Sequence, residues 1–131
     1  MAVMLICILI TLILPMVAKA PVALAMHARG GYDNKHPRAQ QDQLEGYGAR
    51  ALAAHKNSFE AIAYFTPAAV TVLALGAIDS TAKWLAISFV VSRLAYLVFY
   101  WLNWDILRSI VWVIGFGCSI TLLVRLLLAF G

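Results

Sequence analysis

Glu60, Arg93 and Arg108 stand in or beside stretches otherwise built for hydrocarbon, and each brings chemistry that hydrocarbon does not need. A guanidinium forks onto a carboxylate with two parallel hydrogen bonds, and a carboxylate in turn receives an ammonium. Asn57, Glu60 and Tyr64 follow the i, i+3, i+7 spacing of one helix face, and Arg50 lies seven residues before Asn57. His55 and Lys56 immediately precede Asn57. Arg93, Tyr96 and Tyr100 repeat the spacing on a second helix, and Asn103, Asp105 and Arg108 follow where that helix ends and the next begins. A lone Glu60–Arg93 couple would read as a buried ion pair that fixes helix register. The set Arg50, His55, Asn57, Glu60, Tyr64, Arg93, Tyr100 and Arg108 is larger than that reading needs, and charges at bilayer depth are costly unless paired or functional. It points to a polar, basic pocket at the membrane surface. Such a pocket suits an anionic, water-soluble ligand brought next to a lipid-soluble one.

The elements that carry these residues must be membrane helices. Of 131 residues, 63% are hydrophobic and 12% charged, against about 45–50% and about 25% in an ordinary soluble domain. The mean hydropathy is +0.86. A soluble chain of this length has too little interior to hide so much apolar surface, and disordered chains are poor in apolar residues. Residues 1–18, 61–78 and 109–124 contain no charged side chain, and 84–104 contain only Arg93. A spanning helix needs roughly 20 apolar residues, so four spans are expected, at 3–26, 58–78, 83–102 and 107–129. The stretch 29–37 is dense in Gly, Asn, Asp and Pro and reads as turn. Pro37 suits the first position of a helix, and helix formers resume at Arg38. The second helix is therefore expected to run unbroken over 38–78, beginning outside the membrane. The reading is a single membrane domain over 1–131, an all-α bundle of four transmembrane helices.

Other features are less informative. The first span lacks a basic leader, and Pro21 follows the Ala18-Lys19-Ala20 sequence, so it is expected to remain as an uncleaved helix. Cys7 and Cys118 fall in apolar spans and read as small buried hydrophobes. His27, His36 and His55 lack metal-ligand spacing, so no metal site is expected. Trp84, Trp101, Trp104 and Trp112 read as interface anchors. The long first loop holds Arg29, Lys35, Arg38, Arg50 and Lys56, and Arg108 lies on the same side, against Lys83 and Arg125 opposite. The positive-inside rule puts the long loop in the cytoplasm and both termini outside. The net charge of +4 is accounted for by anionic lipid beside that loop, and no nucleic-acid partner is expected.

The chain resembles bacterial members of the MAPEG superfamily, the membrane-associated proteins in eicosanoid and glutathione metabolism. The resemblance rests on Arg50-Ala-Leu-Ala-Ala-His55-Lys-Asn57-Ser-Phe-Glu60, on Tyr32-Asp33-Asn34-Lys35-His36-Pro37-Arg38, on Arg93 with Tyr100, on Arg108 and on Trp112-Val-Ile-Gly115-Phe-Gly117. Ala53 and Ala63 stand where many eukaryotic members have Arg and Pro. The resemblance implies a homotrimer in a bacterial inner membrane, with glutathione as co-substrate at each subunit interface. Asn57, Glu60, Arg93 and Tyr100, with Arg50 and His55, would hold the tripeptide. Arg108 would activate the thiol, because only the thiolate is a good nucleophile and a neighbouring cation favours it. The implied function is a glutathione transferase or peroxidase acting on a lipophilic small molecule. Two alternatives are a small multidrug-type transporter built on Glu60, and a non-catalytic protein of the same fold.

Overall fold

The computed structural model describes residues 1–131 and contains five helices and no strand. They are α1 (Ala2–His27), α2 (Pro37–Asp42), α3 (Gly46–Ala74), α4 (Ser80–Trp101) and α5 (Asp105–Phe130). The four long helices form the bundle, and α2 is a short helix of six residues on the long loop. α1, α4 and α5 are each long and apolar enough to cross a membrane. α3 has 29 residues, or about 43 Å of helix. It does not qualify on composition, because its first half carries Arg50, His55, Lys56, Asn57 and Glu60. It packs against α1, α4 and α5, and its polar half keeps Lys56 and Glu60 exposed while Ala51, Ala54 and Ser58 are buried among them.

The expectation of one helix over 38–78 is corrected at both ends. The chain leaves the helical path at Gln43–Glu45, where Glu45 is extended and Gly46 takes φ +53°. That left-handed value is open to glycine without steric cost. Arg29 fastens the break to the end of α1 by donating to the Gln43 carbonyl and by pairing with Glu45 at 3.4 Å. At the other end α3 stops at Ala74 because Gly76 takes φ +66°. The Ala77 N–H then bonds back to the Val72 carbonyl at 3.0 Å and the Gly76 N–H to Leu73 at 3.2 Å, satisfying carbonyls the helix end would otherwise leave idle. Asn103 closes α4 in the same way at φ +63°, with the Trp104 N–H on the Phe99 carbonyl at 2.8 Å. α4 begins at Ser80, ahead of the expected residue 83, because the Asp79 carboxylate accepts the Ala82 N–H at 2.7 Å.

Close packing comes from small residues. Ala51, Ala54, Ala61, Ala68 and Ala69 of α3 are fully buried and let its neighbours approach. Phe65 and Phe89 stack at 3.9 Å between α3 and α4 in the core of the far half, with Met4, Cys7, Cys118 and Leu122 around them. At the long-loop end Val22, Met26, Leu44, Ala51 and Leu52 close the core, with Trp101 against them. The long loop and the α4–α5 turn therefore share one end of the bundle. Leu, Ile, Val and Phe side chains along α1 and α5 remain exposed, as a lipid-facing surface requires.

Candidate functional site

Five of the seven candidate residues fall into one continuous run of contacts across α3, α4 and α5. Arg93 is 1% exposed, the largest fully buried side chain of the chain. Its Nη2 donates to Asn57 Oδ1 at 2.5 Å, and Asn57 Nδ2 donates to Glu60 Oε2 at 2.6 Å. Asn57 thus stands between the two charges, and Glu60 and Arg93 form no direct ion pair. Asn57 can do this because its amide offers an acceptor to the cation and a donor to the anion. The far side of the Arg93 guanidinium lies over the Tyr96 ring at 4.1 Å. Tyr96 meets Tyr100 edge-on at 5.4 Å, and Arg108 lies over the Tyr100 ring at 4.3 Å. Each cation rests on a π face, a favourable arrangement when water is scarce.

The run has spare bonding capacity. Nε and Nη1 of Arg93 and the Tyr64 hydroxyl are buried with no hydrogen-bond partner. Buried polar groups are rarely left so, and such orphans occur where a ligand or water completes the set.

Arg108 stands between two concavities. On one side is a recess of about 290 Å³ lined by Tyr96, Tyr100, Arg108, Ser109, Trp112 and Val113. On the other is an open groove of about 510 Å³ lined by Ile106, Ile110, Val113 and Ile114 together with Asp105, Arg108 and Ser109. The guanidinium is therefore in reach of an aromatic, polar space and of an apolar one at once.

The remaining two candidates lie elsewhere. His55 is two residues from Asn57 and so faces away from it, toward α1, where its Nδ1 is 2.9 Å from the Pro15 carbonyl. A carbonyl only accepts, so Nδ1 carries the proton and Nε2 is left as an acceptor. His55 lines a third cavity, of about 400 Å³, with Arg38, Gln41, Asp42, Lys56 and Phe59. Arg50 is on the Asn57 face but two turns nearer the loop, 6.0 Å from the Tyr47 ring, with its Nε buried and unpartnered. Near this end Asp33 Oδ1 accepts the backbone N–H groups of Lys35 and His36 at 2.8 and 3.0 Å, which hold its carboxyl below the usual carboxylate range.

Ser109 and Trp112 escaped the sequence reading as site residues, and Tyr96, already placed on the Arg93 face, was not counted among them. Tyr96 joins Arg93 to Tyr100, and its position three residues after Arg93 was the available signal. Ser109 touches both concavities but has no pattern to mark it. Trp112 was expected at the lipid interface. It lines the recess instead, stacked on Phe116 at 5.4 Å, and its spacing of four residues from Arg108 is what puts it there.

No curated protein and no solved structure matches the chain significantly. The family comparison does find a match, to the MAPEG family over residues 3–128, which takes in α2, α3 and α4 whole, nearly all of α1 and α5, and every residue of the run from Glu60 to Arg108. With nearly the whole chain matched and an all-helical membrane bundle to carry it, this protein belongs to the MAPEG family.

Proposed function

We propose that the protein is a glutathione-dependent membrane enzyme of the transferase or peroxidase type, acting on lipid-soluble electrophiles or hydroperoxides. The observation that carries the reading is the position of Arg108 on the wall between an aromatic, polar recess and an apolar groove. Glutathione offers two carboxylates, an ammonium and a thiol. Arginines suit its carboxylates and Glu60 suits its ammonium. A guanidinium beside the sulfur lowers a thiol pKa that is otherwise about 8.5, so Arg108 generates the nucleophile without a general base. With an electrophile, a sulfur–carbon bond forms and the leaving group departs with the electron pair. With a hydroperoxide, the thiolate takes the outer oxygen as the O–O bond breaks, and the alkoxide leaves and is protonated. A second glutathione then returns the sulfenic acid to water and the disulfide.

His55 and the Asn57–Arg108 run lie on opposite sides of α3, and one ligand cannot touch both within one chain. A homotrimer resolves this, with the Arg38–His55–Lys56 cavity of one copy meeting the recess of the next. The long basic loop then lies in the cytoplasm of a bacterial inner membrane, next to the glutathione supply.

The test is direct. Purified protein in detergent, mixed with glutathione and then with a dinitrochlorobenzene-type acceptor, is expected to show thiolate absorbance at neutral pH and turnover on addition of acceptor. Absence of binding, thiolate and turnover together would reject the reading.

A further inference from the structure

Gly115 lies where α5 crosses Ser92 and Arg93 of α4. A Cβ built on it would stand 2.5 Å from Ser92 Oγ and 3.6 Å from both Ser92 Cβ and Arg93 Cδ. The first distance is too short for any side chain to accept. Ser92 is 4% exposed, and its hydroxyl is already committed to the Phe89 carbonyl at 2.6 Å, so turning it aside breaks that bond in a place with little room. Gly117, two residues on, has nothing within 4 Å of its built Cβ and faces away from the bundle. A glycine inside a helix costs helix stability against alanine, and at Gly115, unlike Gly117, the backbone contact explains it.

The register of the two helices gives this contact its meaning. Arg93 and Tyr100 are seven residues apart on α4, and Arg108 and Gly115 are seven apart on α5. The helices are antiparallel, so Gly115 meets Arg93 at one end of a two-turn seam and Arg108 meets Tyr100 at the other. The recess lined by Tyr96 and Trp112 lies between these ends. We propose that Gly115 is a positioning residue for the glutathione site, its missing side chain letting α5 close on α4 so that the Arg93 guanidinium is pressed across to Asn57. The role rests on the glutathione reading above.

A methyl group at 115 lifts α5 away from α4 about the tight Leu102–Trp104 turn that joins them. Gly115 is eleven residues along α5 from Trp104, about 16 Å, and Arg108 only four, about 6 Å. The displacement of α5 at Arg108 is then roughly a third of that at Gly115, where it faces Arg93. Binding suffers and thiol activation is largely spared, the opposite of what loss of Arg108 itself does.

The experiment compares wild type with Gly115→Ala, Gly117→Ala, Ser92→Ala and the double variant Ser92→Ala/Gly115→Ala. Two quantities are read: the glutathione concentration for half-saturation, and the pH midpoint of thiolate absorbance at saturating glutathione. Gly115→Ala is expected to raise half-saturation by about tenfold, the size of one misplaced charge-assisted hydrogen bond, with the pH midpoint unmoved. Ser92→Ala removes the colliding oxygen and is expected to restore binding in the double variant, while Gly117→Ala matches wild type. Circular dichroism and thermal unfolding in detergent identify a variant that has lost its fold, and in that case Ser92→Ala must recover the fold as well as the binding. Wild-type affinity in Gly115→Ala, a shift of the thiol midpoint in place of affinity, or no rescue by Ser92→Ala would each overturn the role of Gly115 while leaving the glutathione reading intact. A wild-type protein that neither binds glutathione nor forms its thiolate would overturn both.

Discussion

Arg93 and Arg125 are both arginines in membrane helices, and the chain treats them in opposite ways. Arg125 sits at the far end of the bundle, partly exposed, and both of its terminal nitrogens bond the Asp79 carboxylate across the α3–α4 turn. Asp79 also caps α4, so one carboxylate ties three elements together and its bonding is complete. Arg93 is buried deeper, yet it holds a neutral amide, shares an anion only through that amide, and leaves two of its nitrogens without an acceptor. Satisfied charge at one end is a fastening. Unsatisfied charge at the other, enclosed at greater desolvation cost, is what a ligand-binding region retains.

The comparison can be broken at several points. The largest effect is expected at Arg108, which should behave as neither a fastening nor a buried support. Arg108→Ala is expected to move the thiolate midpoint up toward the free-thiol value of about 8.5 and to cut turnover at neutral pH on the order of tenfold. Glutathione affinity should change less, as stopped-flow absorbance and equilibrium binding would show. Equal losses in both would return Arg108 to the status of a binding residue.

Next comes Asn57→Ala, which strands Arg93 with no polar partner. It is expected to cost about 1–3 kcal/mol of stability, seen as a lowered unfolding temperature in detergent, and to weaken glutathione binding. An unchanged unfolding temperature would mean that water replaces the amide without loss. Glu60→Gln keeps an acceptor for the Asn57 amide and removes only the charge. It should leave unfolding nearly unchanged while weakening binding of the glutathione ammonium, which separates ligand recognition from internal support.

The smallest effect belongs to the far-end pair. Arg125 beside Asp79, together with the Ala82 N–H, holds that carboxyl down to about 2, against about 3.9 in an unfolded chain. Because the folded value is the lower one, the contribution of Asp79 is fully present above about pH 4 and is lost as pH falls through about 2. The difference in unfolding temperature between wild type and Asp79→Asn should therefore be small and constant near neutrality and should shrink over that acid window. Glutathione affinity should be the same in both. A change in affinity would show that the two ends are coupled.

Much of the architecture was legible because hydropathy is a crude but strong signal. The ends of α1 and α5 fall within a residue or two of expectation. The long second helix differs from expectation because its interruption depends on Gly46 in a left-handed conformation and on Arg29 reaching across from the end of α1, and its end on Gly76, also left-handed. Neither has a periodicity, and the tertiary contact cannot be read from local propensity. Helical spacing put Asn57 with Glu60 and Arg93 with Tyr100 correctly on shared faces. What spacing could not reveal was which faces meet. The bridge from Glu60 to Arg93 through Asn57, the separation of His55 from its neighbours and the dependence of the seam on Gly115 all arise from packing between helices.

Trp112 gives the recess an optical consequence. Of the four indoles, Trp84 and Trp104 are largely exposed and Trp101 packs into the core at the loop end, so Trp112 alone lines the space beside Arg108. If the recess takes the proposed tripeptide, the polarity changes first against that indole. Emission from the unlabelled protein is then expected to contain a component that follows occupancy, and Trp112→Phe to remove it. The protein carries its own reporter of the recess, requiring neither a chromogenic acceptor nor turnover to be read.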